Sequence, residues 1–179
     1  MVPEARIVEG EDGLVPEGDG WYVLNARDAR WRQRESLGRW AFLEAEPIPT
    51  LFKQVGFQLV VLEPGQPACM YHGEAGQEDF LVVAGECVLV VEEHERRLRQ
   101  WDFVHCPPWT EHVFVGAGDG PCVVLMMGAR GGERGLFYTR AAVAVRRGAA
   151  AAEETPSARE AYAPFGHWQP GRPAETGLE

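Results

Sequence analysis

The sequence predicts an all-β fold, a sandwich or a barrel, at the centre of the chain. Three observations carry that prediction. Between residues 56 and 128, short apolar runs recur, each of roughly 4 to 7 residues, broken by Gly, Pro or acidic turns. Helix-length apolar patterns are absent from that stretch. Many short strands at regular spacing need either two packed sheets or one closed sheet to bury their apolar faces.

Taken in order, residues 1 to 20 are rich in Gly, Glu and Pro and read as an extended arm or loops. "GWYVLNARDARW" carries a short strand signal at Trp21 to Leu24, and "ESLGRWAFLEAE" carries another around Arg39 to Glu44. Pro47 and Pro49 punctuate a linker. "GFQLVVLEPG" is a strand closed by a Pro-Gly turn. "DFLVVAGE" and "CVLVV" are two apolar runs separated by Gly85-Glu86, which predicts a hairpin. "EEHERR", residues 92 to 97, is a solvated hairpin tip that leaves His94 exposed. "LRQWDFVHCPP", "HVFVGAGDGP" and "CVVLMMG" complete the strand series.

The last fifty or so residues change texture. In "TRAAVAVRRGAAAAEE", Thr139 is placed to cap a short helix ending near Gly148. "SARE" matches a capping box, with Ser157 as cap and Glu160 reaching back. That helix runs through Tyr162, and Pro164 stops it. "HWQPGRPAETGLE" reads as a loose end, with His167 inert. The expected division is an arm with flanking strands over 1–55, a barrel core over 56–128, and a tail of short helices over 129–179.

A chain of 179 residues suits one domain with an arm or tail. Apolar residues at 45% and charged residues at 25% are ordinary for a soluble globular protein. Seventeen basic against 27 acidic residues give a net charge of −10, which disfavours nucleic acid or an anionic membrane as partner. A small anionic substrate stays compatible, because a pocket can differ from the whole surface. No apolar run approaches the roughly 18 residues of a membrane helix. The N-terminus lacks the basic and apolar regions of a signal peptide, so a cytoplasmic location is expected. Cys69, Cys87, Cys106 and Cys122 show no CxxC spacing and are expected to be buried free thiols.

The candidate chemistry lies in "YHGEAGQEDFLVVAGE" and "PPWTEH". Residues i and i+2 share one face of a strand, so His72 and Glu74 pair on one side. Glu78 follows after a short gap, and His112 lies after a distant turn. Imidazoles and carboxylates converging on one interior face suit a divalent cation. Met70 shares the His72 face by the same alternation. His105 and Cys106 fall on opposite faces of one strand, so one of the two points inward.

The spacing is Gly65, six residues, His72, one residue, Glu74, three residues, Glu78, six residues, Gly85. Further on it is Trp101, five residues, Pro107, one residue, Trp109, two residues, His112, three residues, Gly116. These stretches resemble the two motifs of the cupin superfamily. "QEDFLV", "WDFVHCPP", "EHVFVGAGDGPC" and "EETPSAREAYAPF" also look like a group of small bacterial cupins without an assigned activity. The chain departs from the motif pattern at Glu74, which stands at the second histidine, and at Trp101 and Trp109, which stand at glycines.

The resemblance implies a double-stranded β-helix, a jelly-roll barrel with short C-terminal helices added here. It implies His72, Glu78 and His112 as metal ligands. Glu74 either ligates through an oxygen, or turns away and is available as a general base. One divalent transition metal is implied, with zinc, manganese, iron and nickel all open. Trp109 either accepts strain or uses a different turn, and a local structural accommodation is expected over projection of its indole toward the barrel mouth.

Two functions follow. One is a metal-dependent enzyme, of isomerase, decarboxylase or dioxygenase type, on a small organic substrate. The other is a non-catalytic module that binds or senses a small ligand. No DNA-binding motif is present, and the cupin resemblance implies a homodimer paired through sheet edges.

Overall fold

In the computed structural model of the chain, residues 1–44, 52–132 and 135–173 are described. The expected linker at Pro47 and Pro49 lies outside the described residues. The N-terminal segment is not an arm but a hairpin of β1 (Arg6–Gly10) and β2 (Gly13–Glu17). Trp21 to Leu24 do not form a strand; Trp21 makes one isolated bridge, to Glu4. Their apolar side chains find no sheet to pack on, and Trp21 and Val23 stay exposed. The strand forms instead at β3 (Arg30–Gln33), where Trp31 is buried, and is followed by β4 (Arg39–Phe42).

The central strands are β5 (Val55–Leu62), β6 (His72–Glu74), β7 (Glu78–Ala84), β8 (Glu86–Val91), β9 (His94–Arg99), β10 (Phe103–Cys106), β11 (His112–Ala117) and β12 (Cys122–Ala129). After them come β13 (Leu136–Tyr138), α1 (Ala142–Arg146), α2 (Ala158–Ala161), a 3-10 turn at Ala163–Phe165 and β14 (Gln169–Pro170).

The strands form two large sheets. One has seven strands in the order β10-β7-β12-β5-β4-β3-β14, and the other has five in the order β13-β6-β11-β8-β9. Every strand pair in both is antiparallel. The sheets face each other as the two halves of a double-stranded β-helix. They do not close into one continuous hydrogen-bonded cylinder.

The core between them draws Val60, Leu62, Phe80, Val82 and Val124 from one sheet and Cys87, Leu89 and Phe114 from the other. The outer faces are covered too. Val90, Val113 and Val115 pack against Ala141, Ala144 and Ala149 around α1, while Val61 and Val123 pack on Trp31 and Ala41. Double coverage explains why "LVVL" and "CVLVV" read as unbroken apolar runs rather than as alternation. A fully buried Phe or Leu in such a core contributes roughly 1.5–3 kcal/mol.

The predicted hairpin at Gly85-Glu86 is not one, because β7 and β8 belong to different sheets. Gly85 has φ +71°, and a Cβ there would sit 2.3 Å from the Pro121 carbonyl oxygen. Only glycine lets the chain turn this corner so close to a neighbouring backbone. The true hairpin is β8-β9, where Glu92 and Glu93 take φ of 46° and 65°. Positive φ at both central residues matches the twist that a tight two-residue turn needs.

Thr139 does not cap α1. The cap position is Ala141, without a side-chain bond, and the Thr139 hydroxyl is buried without a partner. Ser157 does cap α2, accepting from the Glu160 N–H. The Glu160 carboxylate accepts from the Thr155 hydroxyl at 2.5 Å rather than reaching back to the cap. Pro164 ends the α-helix but starts no loop, since its fixed φ suits the first turn of the 3-10 segment. The expected loose end is partly ordered: Gln169 and Pro170 pair with β3.

Candidate metal centre

Three strands position the centre. The register of β6 and β11 sets His72 directly opposite His112. Alternation along β11 turns His112 and Phe114 inward and Val113 and Val115 outward. From the facing sheet, β7 brings Glu78 in phase with Phe80 and Val82, which point to the interior. Asp79 points outward and binds His105 at 2.7 Å. One ligand atom each from His72, Glu78 and His112 lies within 4.8 Å of the other two.

Both imidazoles are oriented by the same device. His72 Nδ1 lies 2.7 Å from the Met70 carbonyl oxygen, and His112 Nδ1 lies 3.0 Å from that of Thr110. A carbonyl only accepts, so each Nδ1 carries the hydrogen and each Nε2 faces the cluster. Holding a ring by its far nitrogen in this way is how metal-ligating histidines are aimed. His112 Nε2 stands 3.6 Å from Glu78 Oε2, beyond a hydrogen bond.

The charges are poised. Burial, then the nearby Glu74, pushes the Glu78 carboxyl up to about 7. Burial, then the neighbouring His72, lowers His112 to about 4, so it is neutral at ordinary pH. For His72 burial opposes the charge, but Cys69, Glu74 and the Met70 carbonyl outweigh it and hold it well above its usual value. Glu74 is held below the usual carboxylate range, chiefly by His72.

The donor set fits a divalent ion. Two inward Nε2 atoms and a carboxylate converge without hydrogen bonds among themselves, and burial penalises the carboxylate's charge until a cation balances it. Two nitrogens and one oxygen suit zinc, iron, manganese and nickel alike. Glu74 stands outside the three-atom group. Its Oε1 is 3.6 Å from His72 Nε2 and its side chain is 40% exposed towards the pocket. The Cys69 sulfur lies 3.8 Å from His72 Nδ1, on the ring edge away from the cluster.

The centre opens into a cavity of about 520 Å³. Trp40, Phe42, Phe80, Phe114 and Met126 give it apolar walls, and Arg34 and Arg130 give it cations. Arg130 is engaged, with Glu44 at 2.5 Å and the Phe52 carbonyl at 3.1 Å. The Tyr138 ring lies 5.6 Å from His72 and 5.6 Å from Tyr162.

Several sequence expectations resolve here. Met70 does not line the pocket. Only His72–Glu74 are extended as β6, so alternation fails upstream and Met70 packs with Leu37, Tyr138 and Ala161. Cys106 points into the core, and His105 is exposed. Cys69 is the one thiol of the four that is not fully buried. Trp109 accepts a left-handed φ of 66°, and its ring lies against Gly135 rather than in the cavity. Gly116 stands where its Cβ would come within 2.1 Å of the Glu63 carbonyl oxygen, so no larger residue fits. His94 and His167 are exposed. Arg34, Tyr138 and Tyr162 were missed. Their only local signal was the capping box that starts the short helix before Tyr162.

Residues 58–128 match the family model described as a cupin domain. Among solved structures, the polyketide cyclase RemF from Streptomyces resistomycificus aligns with a TM-score of 0.53 at 14% identity, over 63% of this chain and 80% of that one. That likeness is one of fold. A cupin-superfamily sugar phosphate isomerase from Silicibacter pomeroyi aligns with a TM-score of 0.49 at 28% identity, over 57% of this chain and 65% of that one. A lyase acting on DMSP from Ruegeria pomeroyi gives 0.48 at 21% identity, over 64% and 58%. The chain spans 65% of the Silicibacter isomerase and 55% of another match, from Acidithiobacillus ferrooxidans. No curated protein matches the chain. Among the described residues no helix is long and apolar enough to cross a membrane.

Proposed function

We propose, from the match of residues 58–128 to a cupin domain, that the chain is a metal-dependent enzyme moving a proton on a small organic substrate. His72, Glu78 and His112 are the ligands of one divalent transition metal. The observation that supports this most is the paired anchoring of the two Nδ1 atoms, which leaves both Nε2 atoms free for the cluster that Glu78 completes within 4.8 Å. A metal there supplies Lewis-acid polarisation of a substrate oxygen.

The rest falls to side chains. Glu74 borders the cavity beside the ligands, its Oε1 3.6 Å from His72 Nε2, which suits its carboxylate to take a proton from a carbon or hydroxyl beside that oxygen. The apolar walls exclude water from the reacting end. With that proton returned to the neighbouring carbon, this chemistry is that of an isomerase. The largely apolar lining also supports a second reading, a barrel that holds a small ligand without transforming it.

The test is wash-in of solvent deuterium into a panel of small hydroxycarbonyl compounds by metal-loaded protein. Exchange that disappears in Glu74→Gln at unchanged metal content is the expected result. No exchange into any compound would leave the ligand-holding reading in its place.

A further inference from the structure

We infer that Arg34 forms an anion subsite in the same cavity, so that the ligand is an organic anion carrying a carboxylate or phosphate. This deepens the proposed function and rests on it only for the reacting end of the ligand.

Six of the sixteen arginines are paired with acidic side chains. Arg6, Arg32, Arg39, Arg97, Arg130 and Arg147 each hold a carboxylate. Arg34 holds none among the described residues, although it borders the cavity. Its Nε is buried and makes no hydrogen bond. Its Cζ lies 4.8 Å from the Tyr162 ring and 5.1 Å from the Trp168 ring.

This arrangement suits anion capture. Aromatic rings engage a guanidinium through its π face and leave the in-plane N–H donors free. Those donors form the fork that matches a carboxylate or phosphate in a bidentate pair. The rings also fix the side chain in advance, so less freedom is lost on binding.

The charge balance points the same way. The ionisable groups bordering the cavity include Glu74, Glu78, Arg34 and Arg130. Arg130 is neutralised by Glu44. A divalent ion offsets the two glutamates. The Arg34 charge is then the one left for the ligand to meet. From Arg34 the rings of Tyr162, Tyr138 and His72 follow in contact, and Arg34 borders the same cavity as His72, Glu78 and His112.

The test is calorimetric titration of metal-loaded and chelated protein with four probes: glutarate, its neutral counterpart glutaramide, glycerol 3-phosphate and glycerol. We expect at least one anion to bind more tightly than its neutral counterpart. Arg34→Gln then weakens that anion on the order of tenfold to a hundredfold. Arg34→Lys, which keeps the charge and loses the fork, falls between. Thermal midpoints and metal content of both variants stay near those of the parent, which separates the effect from misfolding. The arm that binds says whether the anion is a carboxylate or a phosphate. Anion binding no better than neutral binding, or undiminished by Arg34→Gln, overturns the inference. Arg34-dependent binding in a protein that takes up no metal fells the metal reading and leaves the anion subsite standing.

Discussion

The two ends of the cavity are made from different parts of the chain and held by different forces. The histidine end comes from β6, β7 and β11, all within the segment that matches the cupin domain. Its side chains are fixed by strand register, sheet packing and backbone carbonyls. The guanidinium end comes from Arg34, Tyr162 and Trp168, all outside that segment. It is fixed by ring contacts and by one short, capped helix. The difference teaches that chemistry and selectivity are separable here. A family match reaches the first end and says nothing of the second.

Substitutions can sharpen or break that contrast. The largest effect is expected from Phe114→Ala. Phe114 is 1% exposed, with the rings of Phe80 and His112 at 4.7 and 6.2 Å. Its loss costs about 3–5 kcal/mol in denaturant unfolding. A cost near zero would mean that the sheets do not clamp the histidine end.

The next effect is in pH. Below pH 7 the metal-free protein carries one proton on Glu78 and one on His72, and both must leave for these groups to ligate. His112 is already neutral. Metal affinity therefore rises with pH. The rise is steeper below about pH 7 than above it, because Glu78 ionises in the free protein there. For stability the sign is opposite. The raised Glu78 value favours the metal-free fold below its unfolded pKa, and that contribution is lost as pH rises through about 7. Competition titrations with a chelator at several pH values read the first, and a pH-independent affinity would contradict it.

A smaller effect is expected at the other end. Ser157→Ala removes the bond from the Glu160 N–H and costs about 1 kcal/mol, felt locally. Hydrogen exchange should speed up over residues 158 to 162 while metal content holds. Lost metal would show that the two ends are not independent. The smallest effect is a gain. Trp101 is 71% exposed with φ 76°, so Trp101→Gly should relieve left-handed strain and add about 1 kcal/mol to unfolding stability.

The same contrast marks how far the sequence could be read. Strand texture from residue 56 to 128 and the spacing of His72, Glu78 and His112 are local patterns, so the facing sheets and the three-residue cluster were legible. The Ser157 cap was legible for the same reason. Gly85 was misread because a turn glycine looks the same whether the chain returns to its own sheet or crosses to another. Met70 was misplaced because alternation holds only where the chain is extended. Arg34 meeting Tyr162 and Trp168 is a tertiary event between the two ends of the chain. No short window of sequence contains it.

The measurement that bears most directly on the account is metal content by elemental analysis. It is made on protein purified without chelator or histidine tag, beside His72→Ala, Glu78→Ala and His112→Ala, each checked for folding. The account predicts about one equivalent of a transition metal per chain, lost in each folded variant. Variants that stay folded and keep the metal, or a parent protein that takes up none after reconstitution, would contradict it.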